Sequence, residues 1–222
     1  MSVLKQRDYR VFLLKKARIV LVFIAGISAQ FSATAQQQIV DAHNKLRSSI
    51  AKGTYVAKGT TEPAGADILK MKWDSSIGTS AQNYANTCPT GHSGAAGFGE
   101  NIFWSWTSGQ FGALDPYGVT ASNSWEKEFQ DYGWTSNTLD VATFNTGIGH
   151  ATQMAWSQTG ALGCGIKMCG PDPSVKNYNR LVVVCQYKNQ GNVLNKPIYK
   201  QGATCSACPS PTKCETSSGL CV

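Results

Sequence analysis

The stretch Gly149-His150-Ala151-Thr152-Gln153-Met154-Ala155-Trp156, followed by two apolar runs, Leu162 to Met168 and Leu181 to Tyr187, decides how this chain folds. The first piece reads as a short helix with His150 and Met154 on one face, since side chains four apart meet on a helix. Each apolar run contains a cysteine, and an insert with Gly170, Pro171 and Pro173 separates them, so they read as an antiparallel strand pair.

Toward the N-terminus, Ile39, His43, Leu46 and Ile50 form one stripe of a helix over residues 36 to 52, with Gly53 as its stop. His43 on that stripe reads as a core histidine bonded to a neighbour. Residues 54 to 67 are loop-like. Ile68, Leu69, Met71 and Trp73 then re-enter the core, and Asp74 or Ser75 caps a second helix to about Thr87. The Gly-rich stretch from Gly91 to Gly99 is a loop leading into a short strand, Glu100 to Trp104. A third helix fits Val119 to Tyr132, with Trp125 and Phe129 four apart. Residues 133 to 147 have no clean period and are expected to wrap the surface. The order helix, helix, strand, helix, helix, strand, strand has too many helices for stacked sheets and lacks the βα alternation of a doubly wound fold. The expectation is α+β: a small antiparallel sheet sandwiched between helices.

At 222 residues, 42% hydrophobic and 15% charged, the chain suffices for one core plus a small appendage. No fixed-period repeat is present. Most of the formal charge of +7 lies in residues 1 to 35, which carry +5. The near-neutral remainder argues against nucleic acid as a partner. The basic start is followed by the apolar run Ile19 to Ile27 and by small and polar residues ending Ala33-Thr34-Ala35, which reads as a secretory signal peptide over residues 1 to 35. The apolar run is about half the roughly 20 residues a spanning helix needs, so no membrane span is expected. The mature, extracellular protein would begin near Gln36.

Export turns eight cysteines into four disulfides. Cys88, Cys164, Cys169 and Cys185 are scattered through the body, while Cys205, Cys208, Cys214 and Cys221 crowd the end, and each group is expected to pair within itself. Eight cysteines allow 105 pairings, so spacing leaves the partners open. A zinc knot in the tail is disfavoured by the lack of any nearby histidine.

For chemistry, His92 sits in the Gly-rich loop and His150 opens a helix, so both can reach a cleft. Glu100, starting a strand, and Glu128, three residues after Trp125, are the carboxylates of interest; periodicity alone leaves Glu128 an ordinary solvated residue. There is no H-E-x-x-H, G-x-S-x-G or P-loop, and Gly163-Cys164-Gly165 has only the first two glycines of a dinucleotide loop. A cysteine nucleophile is excluded if all thiols are bridged.

Gly149 to Trp156 resembles the signature of the CAP superfamily of cysteine-rich secretory, antigen-5 and pathogenesis-related proteins. Val182-Val183-Val184-Cys185-Gln186-Tyr187 ending in Gly191-Asn192-Val193 resembles its second signature, and His43-Asn44-Lys45-Leu46-Arg47 and Gly99-Glu100-Asn101-Ile102 its shorter motifs. The likeness covers residues 36 to 193. Residues 194 to 222 are similar to the cysteine-rich hinge of the nematode venom-allergen-like branch. Ala151, where most of the family has an aromatic, and Asn189 depart from the pattern. The resemblance implies a three-layer α-β-α sandwich whose cleft is lined by His92, Glu100, Glu128 and His150. It also implies disulfides Cys88 to Cys169 and Cys164 to Cys185.

Two imidazoles facing a cavity with carboxylates suit a divalent cation such as zinc on His92 and His150. The same four residues also fit a hydrogen-bonded network that needs no metal. A hydrolase would use metal-bound water with Glu100 or Glu128 as general base. The aromatic run Phe98, Phe103, Trp104, Trp106, Phe111 and Tyr117 is long enough to line an apolar site, and Phe98, Phe103 and Trp106 fit the caveolin-binding-type spacing of sterol-binding members. The reading is a non-enzymatic secreted protein that binds a small apolar ligand, sterol or fatty acid, or an extracellular partner. A metal-dependent hydrolase is the alternative, and the oligomeric state stays open.

Overall fold

The computed structural model describes residues 31 to 222; the expected leader lies outside the described residues except for 31 to 35. Among the described residues there are five helices: α1 (Ala33–Ala51), α2 (Ser75–Ala85), α3 (Pro116–Tyr132), α4 (Val141–Phe144) and α5 (Gly149–Ala155). The central sheet has four strands, β1 (Lys72–Trp73), β2 (Gly99–Thr107), β3 (Ala161–Asp172) and β4 (Tyr178–Lys188), in the spatial order β1, β3, β4, β2. The expected pair β3 and β4 is antiparallel, as is β4 with β2; the short edge strand β1 runs parallel to β3. The expected α-β-α sandwich is present, with α2 against one sheet face and α1, α3 and α5 against the other.

Two glycines explain why α2 lies so close. A Cβ at Gly163 would sit 2.1 Å from the backbone nitrogen of Gly78, and one at Gly165 would sit 2.3 Å from the Cα of Gln82. Because successive strand residues face opposite ways, Gly163 and Gly165 clear one face for helix backbone while Leu162, Cys164 and Ile166 fill the core beneath the other. Gln82 locks the contact, donating to the Ile166 carbonyl (2.9 Å) and accepting from its N–H (3.0 Å). These glycines set a packing distance. Beneath α2 lies a small core of Ala81, Ala85, Ile102, Val182 and Val184, and the larger core lies on the opposite face.

Helix α1 holds the large core through Arg47, which is completely buried. Its guanidinium makes six hydrogen bonds of 2.6 to 3.0 Å to the carbonyls of Leu69, Met154, Trp156, Ser157 and Thr159. Burial pulls its pKa down to about 9, which leaves it charged at neutral pH. Asn44 completes the seam by exchanging two 2.9 Å bonds with the backbone of Met71.

Two expectations need correction. Residues 133 to 147 do not simply wrap the surface: Trp134 stacks on Phe129 at 4.2 Å and Leu139 is fully buried. An aromatic anchor, and not a repeating stripe, holds this segment, so its pattern has no period. Helix α1 starts at Ala33, three residues before Gln36.

The disulfides are Cys88 to Cys169, Cys164 to Cys185, Cys205 to Cys214 and Cys208 to Cys221, so body and tail each pair within themselves. The tail is packed onto the body: Leu220 and Cys221 are buried, and the Cys221 N–H and carbonyl bond to Ile68 and Lys70. Ile198 and Tyr199, beyond the expected boundary at 193, belong to the large core.

Candidate functional site

A cavity of about 420 Å³ opens beside the start of β2, walled by His92, Ser93, Phe98, Glu100, Phe144 and Gln153 and by the turn at residues 190–192. The four residues singled out form two histidine–glutamate pairs. On β2, Glu100 stands opposite Gln186 in the ladder. It accepts from Gln186 Nε2 (3.0 Å), from the Ser93 N–H (2.8 Å) and hydroxyl (2.6 Å), and contacts His92 Nδ1 at 3.0 Å. Burial pushes the Glu100 carboxyl up, but these bonds outweigh it and hold the group below its ordinary value. The Tyr84 hydroxyl donates to the Gly91 carbonyl (2.6 Å) and anchors the other end of the loop.

The second pair is built on helices. Glu128 projects from α3 toward the first turn of α5, where its Oε2 accepts from the N–H groups of His150 (2.9 Å) and Ala151 (3.0 Å). Its Oε1 lies 2.5 Å from His150 Nδ1, and the imidazole stacks on Trp125 with an interplanar angle of 18°. Glu128 thus satisfies helix-terminal donors that would otherwise lack partners. Its spacing three residues after Trp125 places it over the same helix face, a signal that periodicity alone did not resolve.

Behind His150 runs a buried chain of hydrogen bonds. Asn101 donates to the His150 carbonyl (3.0 Å) and to the Tyr187 hydroxyl oxygen (3.2 Å). Tyr187 lies 2.9 Å from His43 Nε2, and His43 Nδ1 lies 2.8 Å from the Ile39 carbonyl. The carbonyl can only accept, so Nδ1 carries the proton and Nε2 accepts from Tyr187. Burial lowers the His43 pKa to about 4, so it is neutral: a core histidine, as its stripe position implied.

The rest of the first signature ties the second to the cleft. The Gln153 side-chain oxygen Oε1 accepts from the Gly191 N–H (2.9 Å), and a Cβ at Gly99 would fall 1.9 Å from that oxygen. Thr152 donates to Asn192 (2.7 Å), which donates to the Gly149 carbonyl (2.7 Å). Gln153, Gly99 and Arg47 stand within the motifs, but the contacts each makes across the fold leave no local signal in the sequence.

His92 and Glu100 wall the cavity, whereas Glu128 and His150 form their pair outside its lining. Among the described residues, one group of three or more histidine, cysteine or acidic ligand atoms converges within 4.8 Å, at Cys205, Cys208 and Cys221. All three of those sulfurs are in disulfides and offer no thiolate. In both pairs Nδ1 is engaged by a carboxylate, which leaves Nε2 as the ring nitrogen not used within the pair.

The aromatic ligand site expected from Phe98, Phe103, Trp104, Trp106 and Phe111 is not one site. Phe98 lines the cleft. Strand alternation sends Phe103 to the large core, where Phe111 meets Tyr117 edge-on at 5.6 Å, and Trp104 to the small core. Trp104 and Trp106 border a separate slot of about 260 Å³ with Asp172 and Arg180.

The model of the cysteine-rich secretory protein (CAP) family matches residues 40–187. The chain is 32% identical over 193 residues to mouse (Mus musculus) Peptidase inhibitor 16, covering 86% of this chain and 35% of that protein. It is 34% identical over 196 residues to Ancylostoma secreted protein of Ancylostoma caninum, covering 85% of this chain and 44% of that one. It therefore spans between a third and a half of these two relatives. The solved structure of NaASP2 with Zn2+ superposes with a TM-score of 0.76 at 35% identity, covering 86% of this chain and 97% of that chain. With the matched model spanning well over half its length and these motifs in place, the chain belongs to the cysteine-rich secretory protein family.

Proposed function

We propose that this protein is a secreted, non-enzymatic binding module that takes up a divalent cation on His92 and His150. The observation that carries the reading is the orientation of the two imidazoles: Glu100 and Glu128 each engage Nδ1, which fixes the tautomer and presents Nε2. NaASP2, 35% identical, was crystallised with Zn2+. The bound cation would supply positive charge and exchangeable water sites for an extracellular partner's carboxylate or carbonyl. Four disulfides and no free thiol fit an oxidising, extracellular setting.

The hydrolase alternative is less well supported. A catalytic zinc usually has three protein ligands and an open position. Outside the bridged tail cysteines, no three such atoms converge among the described residues. A small apolar ligand also finds less support, because the expected aromatics divide among the cleft, two cores and a slot of about 260 Å³, below the usual range for drug-sized ligands.

Calorimetric titration with zinc chloride tests the proposal. One site per chain is expected, lost in both His92→Ala and His150→Ala and weakened about tenfold in Glu128→Gln, because removing an outer-shell carboxylate typically costs 10- to 100-fold in affinity. Unchanged binding in both alanine variants overturns it.

A further inference from the structure

The five residues ahead of the expected start at Gln36 are integral to the described fold. Phe31 is 2% exposed and belongs to the large core. It packs where α1 crosses α3: a Cβ at Gly118 would fall 2.4 Å from Ile39 and 3.0 Å from the Phe31 ring, so that glycine makes room for both. Ser32 is the N-cap of α1, its hydroxyl accepting from the Ala35 N–H at 3.2 Å. Its own N–H donates to Asp115 Oδ1 (3.1 Å) and its hydroxyl to Asp115 Oδ2. Asp115 holds the N-cap position of α3 yet makes no side-chain cap bond there, so its carboxylate serves Ser32. Gln36 reaches back to the Phe31 carbonyl (2.8 Å), and Ala35 is buried.

A cut after Ala35 would remove the Phe31 ring from the core, the cap from α1 and the partner from Asp115. The sequence offers another small residue where the apolar run ends: Ile27-Ser28-Ala29. We propose that the leader is removed after Ala29, so that the mature protein begins at Gln30 and keeps Phe31 and Ser32 as a folded N-terminal clasp between α1 and α3. This inference rests on the secretory reading above, and it moves the processing site from the Ala33-Thr34-Ala35 run that composition favours.

The test is expression of the full-length chain in a eukaryotic secretory host, followed by the intact reduced mass and N-terminal peptide of the protein in the medium. A start at Gln30, with or without cyclisation of that glutamine, is expected. Ala33→Lys, at an exposed position that would spoil a cut after Ala35, is expected to leave start and yield unchanged, whereas Ala29→Lys shifts the cut or blocks release. A start at Gln36, abolished by Ala33→Lys, overturns the processing site while leaving secretion intact. Full-length chain retained in the cell overturns both. For the clasp itself, Phe31→Ala in the full-length chain is expected to lower the Tm of the secreted protein by roughly 10 °C, and Asp115→Ala by less. A Phe31→Ala protein that melts with the parent overturns the clasp.

Discussion

The two histidine–glutamate pairs have the same chemistry and different foundations. His150 and Glu128 are set between α3 and α5, with Trp125 stacked behind the ring, two helix N–H groups on the carboxylate and the Asn101, Tyr187 and His43 chain beneath. His92 stands on a Gly-rich loop with its side chain 60% exposed, and its carboxylate Glu100 does the work of ordering that loop. The helical pair is thus set against the core, whereas His92 rides on a loop tied down by Glu100, by the Cys88 to Cys169 disulfide and by the Tyr84 hydroxyl. Like pairs therefore need not be equally stable: local opening is expected on the loop side well before the helical side moves.

The largest effect that would break this contrast concerns Arg47. Helix α5 is held at its start by Glu128 and at its end by Arg47, so Arg47→Met strands five carbonyls and is expected to cost at least about 3 to 5 kcal/mol, read by urea unfolding. A loss below about 1 kcal/mol would mean that α5 does not depend on it.

Next comes acid. His43 binds its proton more weakly folded (about 4) than unfolded (6.5), so its neutral form contributes stability that is full above about pH 6.5 and drains as pH falls toward 4. The total is about 3 kcal/mol, from a cost of 1.36 kcal/mol per pKa unit. A stability profile flat between pH 6.5 and 4 would contradict the buried chain.

Smaller again, Glu128→Ala leaves two N–H groups of α5 without their carboxylate and is expected to cost about 2 kcal/mol globally. Glu100→Ala sharpens the contrast from the other side. It is expected to shift global unfolding by less than about 1 kcal/mol while removing hydrogen-exchange protection at the Ser93 amide. Because the Glu100 carboxyl titrates below its ordinary value, its contribution is present above the unfolded pKa and is lost as pH falls through the lower folded one. The same amide should therefore open in the parent protein only in acid below the ordinary glutamate range. The smallest effect is His92→Ala, expected to leave the melting temperature unchanged within error while abolishing zinc uptake.

What the sequence made legible follows from how local each signal is. Helices α1, α2, α3 and α5 and the pairing of β3 with β4 were readable because stripes, caps and apolar runs are properties of neighbouring residues. Cys88 to Cys169 came only through family likeness, since 81 residues separate the partners. Arg47 was hidden for a similar reason: an arginine on a helix reads as solvated, and its acceptors lie 22 to 112 residues away. Gly163 and Gly165 gave the opposite difficulty, a visible pattern whose meaning depends on which backbone approaches. The aromatic run misled because strand alternation splits Phe103 from Trp104, and a list of rings in sequence carries no sidedness.

Every disulfide closes within the body or within the tail, so covalent continuity between the two passes through a single span of chain near residues 200 to 204. A proteolytic nick there turns a folding contact into a bimolecular equilibrium between the main domain and a cross-linked peptide from Cys205 to Val222. That peptide is seated by the bonds of Cys221 to Ile68 and Lys70 and of Ser48 to Ser218. While the span is intact the peptide sits at the high effective concentration of a tethered ligand; once cut, dilution alone can release it. The tail's seat on the body is therefore held by tethering, and its departure would uncover the flank of α1 around Ser48.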